Sequence, residues 1–557
     1  TPQLVPSSAS PRLKYSHRFA KPLEMCDSAE VDVVVIGSGI GGLSAACLLS
    51  RYGKKVCVLE SHEHAGGAAH SFERGGYTFD SGPSLWSGMS SSSVNPLRQV
   101  LDAVEEDVVW STYDGWWMVL PKGSFYFRVG DSDTWNETLD RFGGPDAREQ
   151  WARFIDAARP VIAASGATPP MALRSDPWVV LSLARCVGAF LSAAPSAALL
   201  NGRLSLLMDK ARLSDPFIIA WLDYLAFALS GLDSDGTLGA AVAFTLGDLY
   251  APGNKLDYPI GGSGAVIDAL VRGLEKHGGT LRTRSHVEQI LVDDGGRARG
   301  VRLRDGRVLT ARTAVISNAD TVATVDLLPT AWRPEPTFGK GGPLNTELAL
   351  TPSFMHLHLG FRGGGLPSNL TIHYSVILDS FEEIMQERNM VIISIPTLLD
   401  PSLAPAKMHV LHAYFAADEP YEPWEGLDRR SDEYARLKEK RGRLLWEAVE
   451  RVIPDIRARG VVELLGTPLT HERFLRRTRG SYGPELFASE KGTLPFAGTQ
   501  IKALLHCGDS CFPGIGVPSA AASGMNAANT LVSPWQQLEL MDWLDQRGCL
   551  APNRNSV

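Results

Sequence analysis

A glycine-rich turn near the start of the chain has the spacing of a phosphate-binding loop. The segment VDVVVIGSGIGG places Gly37, Gly39 and Gly42 directly after a short apolar run that is typical of a buried strand. In such a turn the first glycine permits the tight bend, the second lets the backbone approach a pyrophosphate, and the third lets the following helix pack on the sheet. That helix directs unpaired N–H groups and its positive dipole end at the phosphates. The turn is therefore expected to hold a dinucleotide through Gly37, Gly39, Ile40, Gly41 and Gly42.

An acidic residue at the end of the next apolar run completes this pattern. After a helical stretch, LSAACLLSRYG, the run KVCVLE ends at Glu60, where an acidic residue accepts hydrogen bonds from an adenosine ribose. A GxGxxG sequence alone is weak evidence. Two apolar strands, the helix and Glu60 together predict a βαβ unit whose parallel sheet is covered on both faces. The double glycine Gly66-Gly67 follows Glu60 closely and is a further candidate contact that favours FAD over NAD.

A second group of candidate residues lies near the C-terminus and also favours FAD. Gly508 and Asp509 follow the apolar run LLHC and precede a helix that we expect to begin near Val517. There Asp509 can accept hydrogen bonds from the ribityl hydroxyls of a flavin. The backbone N–H groups of Gly516 and Val517 at the helix start can face the electron-rich edge of the ring. The plainer interpretation makes Asp509 an ordinary turn or cap residue.

The composition excludes several other classes of protein. The 557 residues include 54 lysines and arginines against 62 aspartates and glutamates, and the net charge of −8 disfavours binding to nucleic acid. The seven cysteines are scattered without a CxxC pair, which argues against a disulfide scaffold and for a reducing compartment. Cys507 and Cys511 fit no zinc spacing, so no metal site is predicted. No apolar run of about 20 residues predicts a membrane-spanning helix, whereas attachment to a membrane surface stays open.

Four segments resemble the phytoene desaturase and carotenoid isomerase family of FAD-dependent oxidoreductases. They are GSGIGGLSAACLLSRYGKKVCVLE, GGYTFDSGPS, YPIGGSGAVIDAL and CGDSCFPGIGVPSAAASG, and TPLTHERFLRRTRGSYGP resembles the carotenoid isomerase-like branch in particular. The resemblance implies FAD as cofactor, an apolar carotenoid-like substrate, and Val287 beside the adenine. Ala68 departs from the family, because many relatives carry a basic residue there. The phosphate charge would then be met by helix dipole and backbone alone, or by His70 or Arg74.

The resemblance and the pattern of elements predict an α/β fold. We expect a discontinuous Rossmann-type FAD-binding domain and an α+β substrate domain that contains a mostly helical apolar lobe. The FAD-binding domain is expected over residues 30–105, 255–325 and 491–535. The substrate domain is expected over residues 106–254 and 326–490. Tails are expected over residues 1–29 and 536–557. The apolar stretch 177–249 is either the wall of a substrate tunnel or ordinary core.

Three functions fit such a protein. The leading hypothesis is a carotenoid cis–trans isomerase that depends on reduced FAD, because transient electron or proton transfer lets a double bond rotate without net redox change. The alternative on the same scaffold is a carotenoid or retinoid desaturase or saturase. An alternative of another class is a flavin- or pigment-holding subunit of a larger assembly without turnover. An amine oxidase is more distant, since QIKALLHCGDS lacks an aromatic residue. No catalytic residue and no electron partner are predicted.

The first 29 residues have a composition of their own. They are rich in proline and serine, and four basic residues precede the first acidic one, Glu24. A basic, serine-rich and acid-poor start is typical of an organelle transit peptide, although a solvated tail is an equally good interpretation. Together with the family resemblance it predicts a plastid protein, in the stroma or peripheral to a membrane.

Overall fold

The computed structural model describes residues 30–166, 169–184, 188, 191, 194–334, 344, 349–485 and 494–550. The strands of these residues are β1 (Glu30–Ile36), β2 (Val56–Leu59), β3 (Ser71–Arg74), β4 (Tyr77–Asp80), β5 (Trp86–Ser87), β6 (Trp110–Tyr113), β7 (Gly115–Leu120), β8 (Gly123–Arg128), β9 (Leu256–Pro259), β10 (Thr280–Arg282), β11 (Val287–Val292), β12 (Ala298–Leu303), β13 (Val308–Ser317), β14 (His356–Arg362), β15 (His373–Ile377), β16 (Met390–Ser394), β17 (Met408–Phe415), β18 (Gly460–Gly466) and β19 (Leu504–His506). The α-helices are α1 (Ile40–Arg51), α2 (Pro96–Ala103), α3 (Ser132–Phe142), α4 (Ala147–Ser165), α5 (Val179–Leu183), α6 (Ala197–Asn201), α7 (Leu204–Lys210), α8 (Pro216–Ser230), α9 (Gly239–Leu249), α10 (Ser263–Lys276), α11 (Thr321–Asp326), α12 (Asp432–Val452), α13 (Ile456–Arg459), α14 (Pro468–Leu475), α15 (Val517–Thr530) and α16 (Pro534–Asp545). The tail expected over 1–29 lies outside the described residues.

The first sheet is built on parallel strands, as the apolar runs predicted. Strands β10, β2, β1 and β13 lie side by side, and β19 pairs in parallel with the last residues of β13. The antiparallel meander β11–β12–β13 completes it, with Gly296 and Gly306 in left-handed conformations at its turns. Helices α1, α2, α10 and α15 cover one face through a common apolar core. The predicted Rossmann-type α/β fold is thus confirmed, and its sheet takes its strands from three separate stretches of chain.

The second sheet carries the apolar lobe on one face and a long helix on the other. Its strand order is β18-β14-β17-β16-β15-β7-β8, and all pairs but β15–β7 are antiparallel. Alternate residues of β7 face opposite sides, because Trp116 packs with the lobe whereas Trp117 packs on the α12 side. The apolar helices α8 and α9 pack their buried residues against the aromatic residues of β7 and β8. Of the two interpretations of the apolar stretch 177–249, ordinary core therefore applies to these buried residues.

The C-terminal region departs from the predicted tail. Residues 534–545 form α16, which begins with a capping box between Ser533 and Gln536. Its apolar residues Leu540, Met541 and Leu544 are buried in the core beneath the first sheet. The prediction of a tail from residue 536 is therefore wrong for this helix, because apolar residues at helical spacing had a surface to cover. Every helix of the described residues is too short or too polar to cross a membrane.

Candidate functional site

The glycine turn between β1 and α1 has the geometry of a ligand cradle. Gly37 has a φ of +89°, in the left-handed region that favours glycine. A Cβ on Gly42 would lie 2.3 Å from the carbonyl oxygen of Gly37, so only glycine lets the helix start so close to the turn. Ile40 opens α1 after Gly39, and no side chain caps this helix. Its first N–H groups are therefore available to an anionic ligand.

Glu60 lies at the end of β2, beside this turn, and is buried. Its Oε2 accepts hydrogen bonds from the backbone N–H of Ser38 at 2.9 Å and from the Ser38 hydroxyl at 2.6 Å, while Oε1 accepts from the backbone N–H of His62 at 2.8 Å. The backbone N–H of Ser285 donates to the Glu60 carbonyl at 2.7 Å, which brings the start of β11, with Val287, to the same loop. The predicted ribose and adenine contacts are thus neighbours.

The double glycine lies directly against the turn. The N–H of Gly66 donates to the carbonyl of Ser38 at 3.0 Å, and a Cβ on Gly67 would lie 3.1 Å from the Cα of Gly39. Both glycines have positive φ, of 111° and 57°. The two backbone segments therefore form one continuous small-residue surface at the end of the parallel strands.

The C-terminal candidate residues reach the same surface from the other side. A Cβ on Gly41 would lie 2.9 Å from the Cα and the N of Gly508, and a Cβ on Gly524 would lie 2.2 Å from the Gly41 carbonyl oxygen. The N–H of Gly508 also donates to the hydroxyl of Ser523 on α15, at 2.8 Å. Helices α1 and α15 thus approach to backbone contact, and the two predicted groups of cofactor residues form one site.

Asp509 is fixed by an arginine that the sequence did not single out. Arg477, in the segment TPLTHERFLRRTRGSYGP, donates from Nη1 to Oδ2 of Asp509 at 2.5 Å. The ion pair orients the Asp509 carboxylate. Close by, α15 begins at Val517 without a side-chain cap, after Gly516 with a φ of +99°. The feature of the sequence that could have identified Arg477 was the run of basic residues in this segment.

Asn318 is the second residue that sequence analysis missed, and it lies at the centre of the glycine cradle. It directly follows β13, and its backbone N–H donates to the carbonyl of Ile36 at 2.8 Å. A Cβ on Gly39 would lie 2.6 Å from Asn318 Nδ2, and a Cβ on Gly508 would lie 3.0 Å from its Oδ1. A side-chain amide here offers two N–H donors to a phosphate without carrying charge.

We expect Asn318→Asp to weaken FAD binding at least about tenfold while leaving the fold intact. The substitution preserves shape but places a negative charge beside the pyrophosphate, and repulsion between charges about 4 Å apart near a protein surface is on the order of 4 kcal/mol. Titration of the flavin-free protein with FAD measures the dissociation constant. Asn369→Asp makes the same change at an exposed position and serves as control. Equal affinity of the two variants would contradict a role of Asn318 at the phosphates.

Of the two side chains proposed to replace the missing basic residue, His70 does not supply charge. Nδ1 of His70 lies 2.7 Å from the carbonyl oxygen of Gly67, but burial lowers the pKa of His70 to about 4, so this imidazole is neutral at pH 7. Arg74 is exposed at the end of β3. In the other alternative, the helix dipole and the backbone N–H groups compensate the phosphate charge. The Asn318 amide is a further donor that can contribute to this.

Comparison with known proteins places the chain among flavin-dependent oxidoreductases. Residues 40–532 match the family described as flavin containing amine oxidoreductase. The chain is 32% identical over 525 residues to prolycopene isomerase 1, chloroplastic, of an Oncidium hybrid cultivar, covering 91% of this chain and 84% of that protein. It is 26% identical to human all-trans-retinol 13,14-reductase, covering 82% and 77%. The structure of cyclohexylamine oxidase from Brevibacterium oxydans superposes with a TM-score of 0.56 at 15% identity, covering 93% of this chain and all of that one.

Proposed function

We propose, from the premise that this chain belongs to the flavin-containing amine oxidoreductase family and is an FAD-dependent enzyme, that it isomerises cis double bonds of a carotenoid. The observation that carries the proposal is the likeness to prolycopene isomerase, which covers 91% of the chain. The aligned region therefore includes most of the apolar lobe and of the second sheet as well as the cofactor site. The substrate we propose is a long apolar polyene, taken up by a substrate domain over residues 106–254 and 326–490.

We assign the cofactor contacts by the geometry of the site. The glycine turn and the Asn318 amide would hold the pyrophosphate of FAD, and Glu60 would bind the adenosine ribose. Asp509 would bind the ribityl chain, and Val517 would lie near the ring. The FAD-binding domain that we propose comprises residues 30–105, 255–325 and 491–535. Bound FAD supplies the electron or hydride chemistry, whereas these residues hold and orient it.

The position of the apolar lobe supports an apolar substrate. Tyr482 lies in the same segment as Arg477, and its hydroxyl donates to the carbonyl of Ala228 in α8 at 3.3 Å. Arg477 in turn holds Asp509, so only a few residues separate the proposed flavin site from the most apolar helix. A polyene bound between them would lie in surroundings that exclude water, where charges on the flavin act strongly.

The decisive experiment follows the mass and the isomers of the product. The purified holoenzyme is incubated without oxygen, with FAD reduced, in vesicles that carry a poly-cis carotene. We expect a changed isomer composition at unchanged mass, and no change without reduction of FAD. A product heavier by two hydrogens identifies a saturase. A product lighter by two hydrogens, formed in a parallel incubation with oxidised FAD and a quinone as electron acceptor, identifies a desaturase; either would overturn the proposal. The matched control is the Asn318→Asp protein at FAD concentrations below its dissociation constant, where most of the protein carries no FAD.

A saturase acting on a carotenoid or retinoid is the second candidate. It rests on the 26% identity to human all-trans-retinol 13,14-reductase, over 82% of this chain. The same cofactor site serves both reactions, because an isomerase and a reductase differ in whether the hydrogens added to the polyene leave again. The product mass therefore separates the two.

We further propose that the protein works in a plastid and docks on a membrane surface, where carotenoids dissolve. Trp178 and Val180 flank the start of α5, and Trp535 lies at the start of α16; their exposed fractions are 56%, 74% and 67%. The two helices are joined by a hydrogen bond from the Ser182 hydroxyl to Gln537 Oε1 at 2.6 Å. Aromatic side chains in such positions insert into the lipid headgroup region. Flotation with the same vesicles should decrease for Trp535→Ser and not for Val308→Ser, an exposed valine on the first sheet.

A further inference from the structure

The loop that follows α14 contacts the cofactor site along its backbone. Arg476 and Arg479 both have a φ of 55°, in the left-handed region that arginine rarely adopts, and Arg477 lies between them. The N–H of Thr478 donates to Asp320 Oδ2 at 2.7 Å, and its hydroxyl donates to Asp320 Oδ1 at 3.0 Å. Asp320 belongs to the turn after β13 that also carries the central amide of the glycine cradle. Strained backbone persists where the surrounding structure fixes it, and here it fixes the position of Arg477.

Arg477 has hydrogen-bond donors that the protein does not use. Its side chain is 18% exposed, and Nη1 donates to Asp509 Oδ2 at 2.5 Å. A guanidinium has five N–H donors, and this is the only hydrogen bond that the side chain makes among the described residues. Nε is buried without a partner among them. Because donors at so enclosed a position are normally paired, the remaining ones indicate an acceptor that the chain itself does not supply.

The guanidinium of Arg477 keeps its positive charge at neutral pH. Burial lowers the pKa of Arg477, but Asp509 and then Asp320 raise it by more, so that it lies above the usual value. The neighbouring imidazole of His471 is neutral, because burial and the Arg477 charge lower the pKa of His471 to about 3. Arg477 is therefore a fixed cation beside two carboxylates.

The same guanidinium lies close to the start of α15. A Cβ on Gly483 would lie 3.6 Å from Arg477 Nη2 and 2.4 Å from Ile515 Cδ1, so both side chains approach one point. Ile515 lies two residues before Val517, where α15 begins without a side-chain cap. In the proposed cofactor site, Asp509 would bind the ribityl chain and the start of α15 would lie near the flavin ring. Arg477 is thus close to both of these segments.

We propose that Arg477 makes this site bind reduced FAD more tightly than oxidised FAD, an inference that rests on the proposed isomerisation with reduced FAD. Two electrons and one proton convert the neutral oxidised ring to a reduced anion. The proton is then on the flavin N5, and the negative charge lies over N1 and the C2 carbonyl. A fixed cation near the ring attracts this anion and has no such attraction for the neutral oxidised ring.

Such a preference matters for an isomerase because reduced FAD is needed in every turnover and is not consumed. A molecule whose bound FAD loses its electrons between turnovers is inactive until it is reduced again. Each tenfold increase in the affinity for reduced over oxidised FAD raises the midpoint potential of the bound cofactor by about 30 mV, since the couple transfers two electrons. A higher potential keeps more of the enzyme in its active form.

The test compares the midpoint potential of bound FAD in the wild type, Arg477→Met and Arg479→Met. The purified holoenzymes are reduced stepwise with dithionite, without oxygen, beside a dye of known potential. Arg479 is the matched control, because it lies in the same loop and also pairs with a carboxylate, Glu422, but at an exposed position. We expect Arg477→Met to lose about 100-fold in relative affinity, which lowers the potential by about 60 mV. Arg479→Met should keep the wild-type potential.

Two further variants separate the charge of Arg477 from its packing. Arg477→Lys keeps the positive charge and should recover most of the relative affinity for reduced FAD. Asp509→Asn removes the counter-charge but keeps the arginine, so the potential should rise, in the direction opposite to Arg477→Met. A variant that purifies without flavin is titrated with oxidised FAD and, without oxygen, with dithionite-reduced FAD. The ratio of the two dissociation constants then gives the same quantity.

The outcomes separate this inference from the proposed function. Equal potentials of the wild type and Arg477→Met, or an equal loss of affinity for both forms of FAD, overturn the role of Arg477 and leave the isomerase intact. The same shift in Arg479→Met also overturns it, because the effect would then not depend on the position of Arg477. A polyene product that differs in mass by two hydrogens overturns the proposed function, whereas the potentials still decide on Arg477.

Discussion

Gly42→Ala is expected to yield a protein without bound FAD. The new Cβ would lie 2.3 Å from the carbonyl oxygen of Gly37, a backbone atom that cannot rotate away. Helix α1 must then withdraw from the turn, and its N–H groups no longer converge on the phosphates. Overpacking of this kind costs about 3 kcal/mol when side chains can adjust. With backbone on both sides we expect FAD binding to weaken by more than about 100-fold.

The ratio of flavin to protein after purification measures this effect. Gly364→Ala is the matched control, since a Cβ there has no neighbour within 4 Å and Gly364 has no positive φ. Circular dichroism shows whether the variant keeps its secondary structure. Stoichiometric FAD in folded Gly42→Ala would mean that this turn does not hold the pyrophosphate.

Arg441→Leu is expected to destabilise the protein by about 3–5 kcal/mol, because it leaves a buried carboxylate without its cation. Glu419 follows β17 by four residues, is fully buried, and accepts hydrogen bonds from Arg441 Nε at 2.5 Å and Trp424 Nε1 at 2.7 Å. Burial raises the pKa of Glu419 even with the arginine beside it, which shows how strongly the site disfavours charge. Urea unfolding followed by tryptophan fluorescence gives the loss in free energy.

An exposed ion pair provides the control for this prediction. Arg299 contacts Asp293 at 2.6 Å, nearly the same distance, but the Arg299 side chain is 54% exposed. Arg299→Leu should therefore change the stability by less than about 1 kcal/mol. The double variant Arg441→Leu/Glu419→Gln should recover part of the loss, since it removes the unpaired charge. Equal effects of Arg441→Leu and Arg299→Leu would show that burial does not set the contribution of the Glu419 pair.

Local features of the sequence predicted the first half of the cofactor site. The β1–α1 turn, the end of β2 at Glu60 and the meander turns are each encoded within a few residues, where glycine spacing and apolar runs act directly on the backbone. Helix α12 is also encoded locally, because Ser431 caps its start and Pro454 follows its end. The tail prediction failed for α16 because the core that buries Leu540, Met541 and Leu544 comes from distant parts of the chain.

The sequence by itself thus determined the Rossmann-type unit, the cofactor class and the family. Only the tertiary structure decided that Gly508 lies against Gly41, that Arg477 holds Asp509, and that Asn318 fills the centre of the cradle. It also decided that the rings of His356 and His471, which are 115 residues apart in the sequence, come into contact. The physical reason is that strand register and the packing of distant elements bring these groups together, and neither is encoded in the spacing of neighbouring residues.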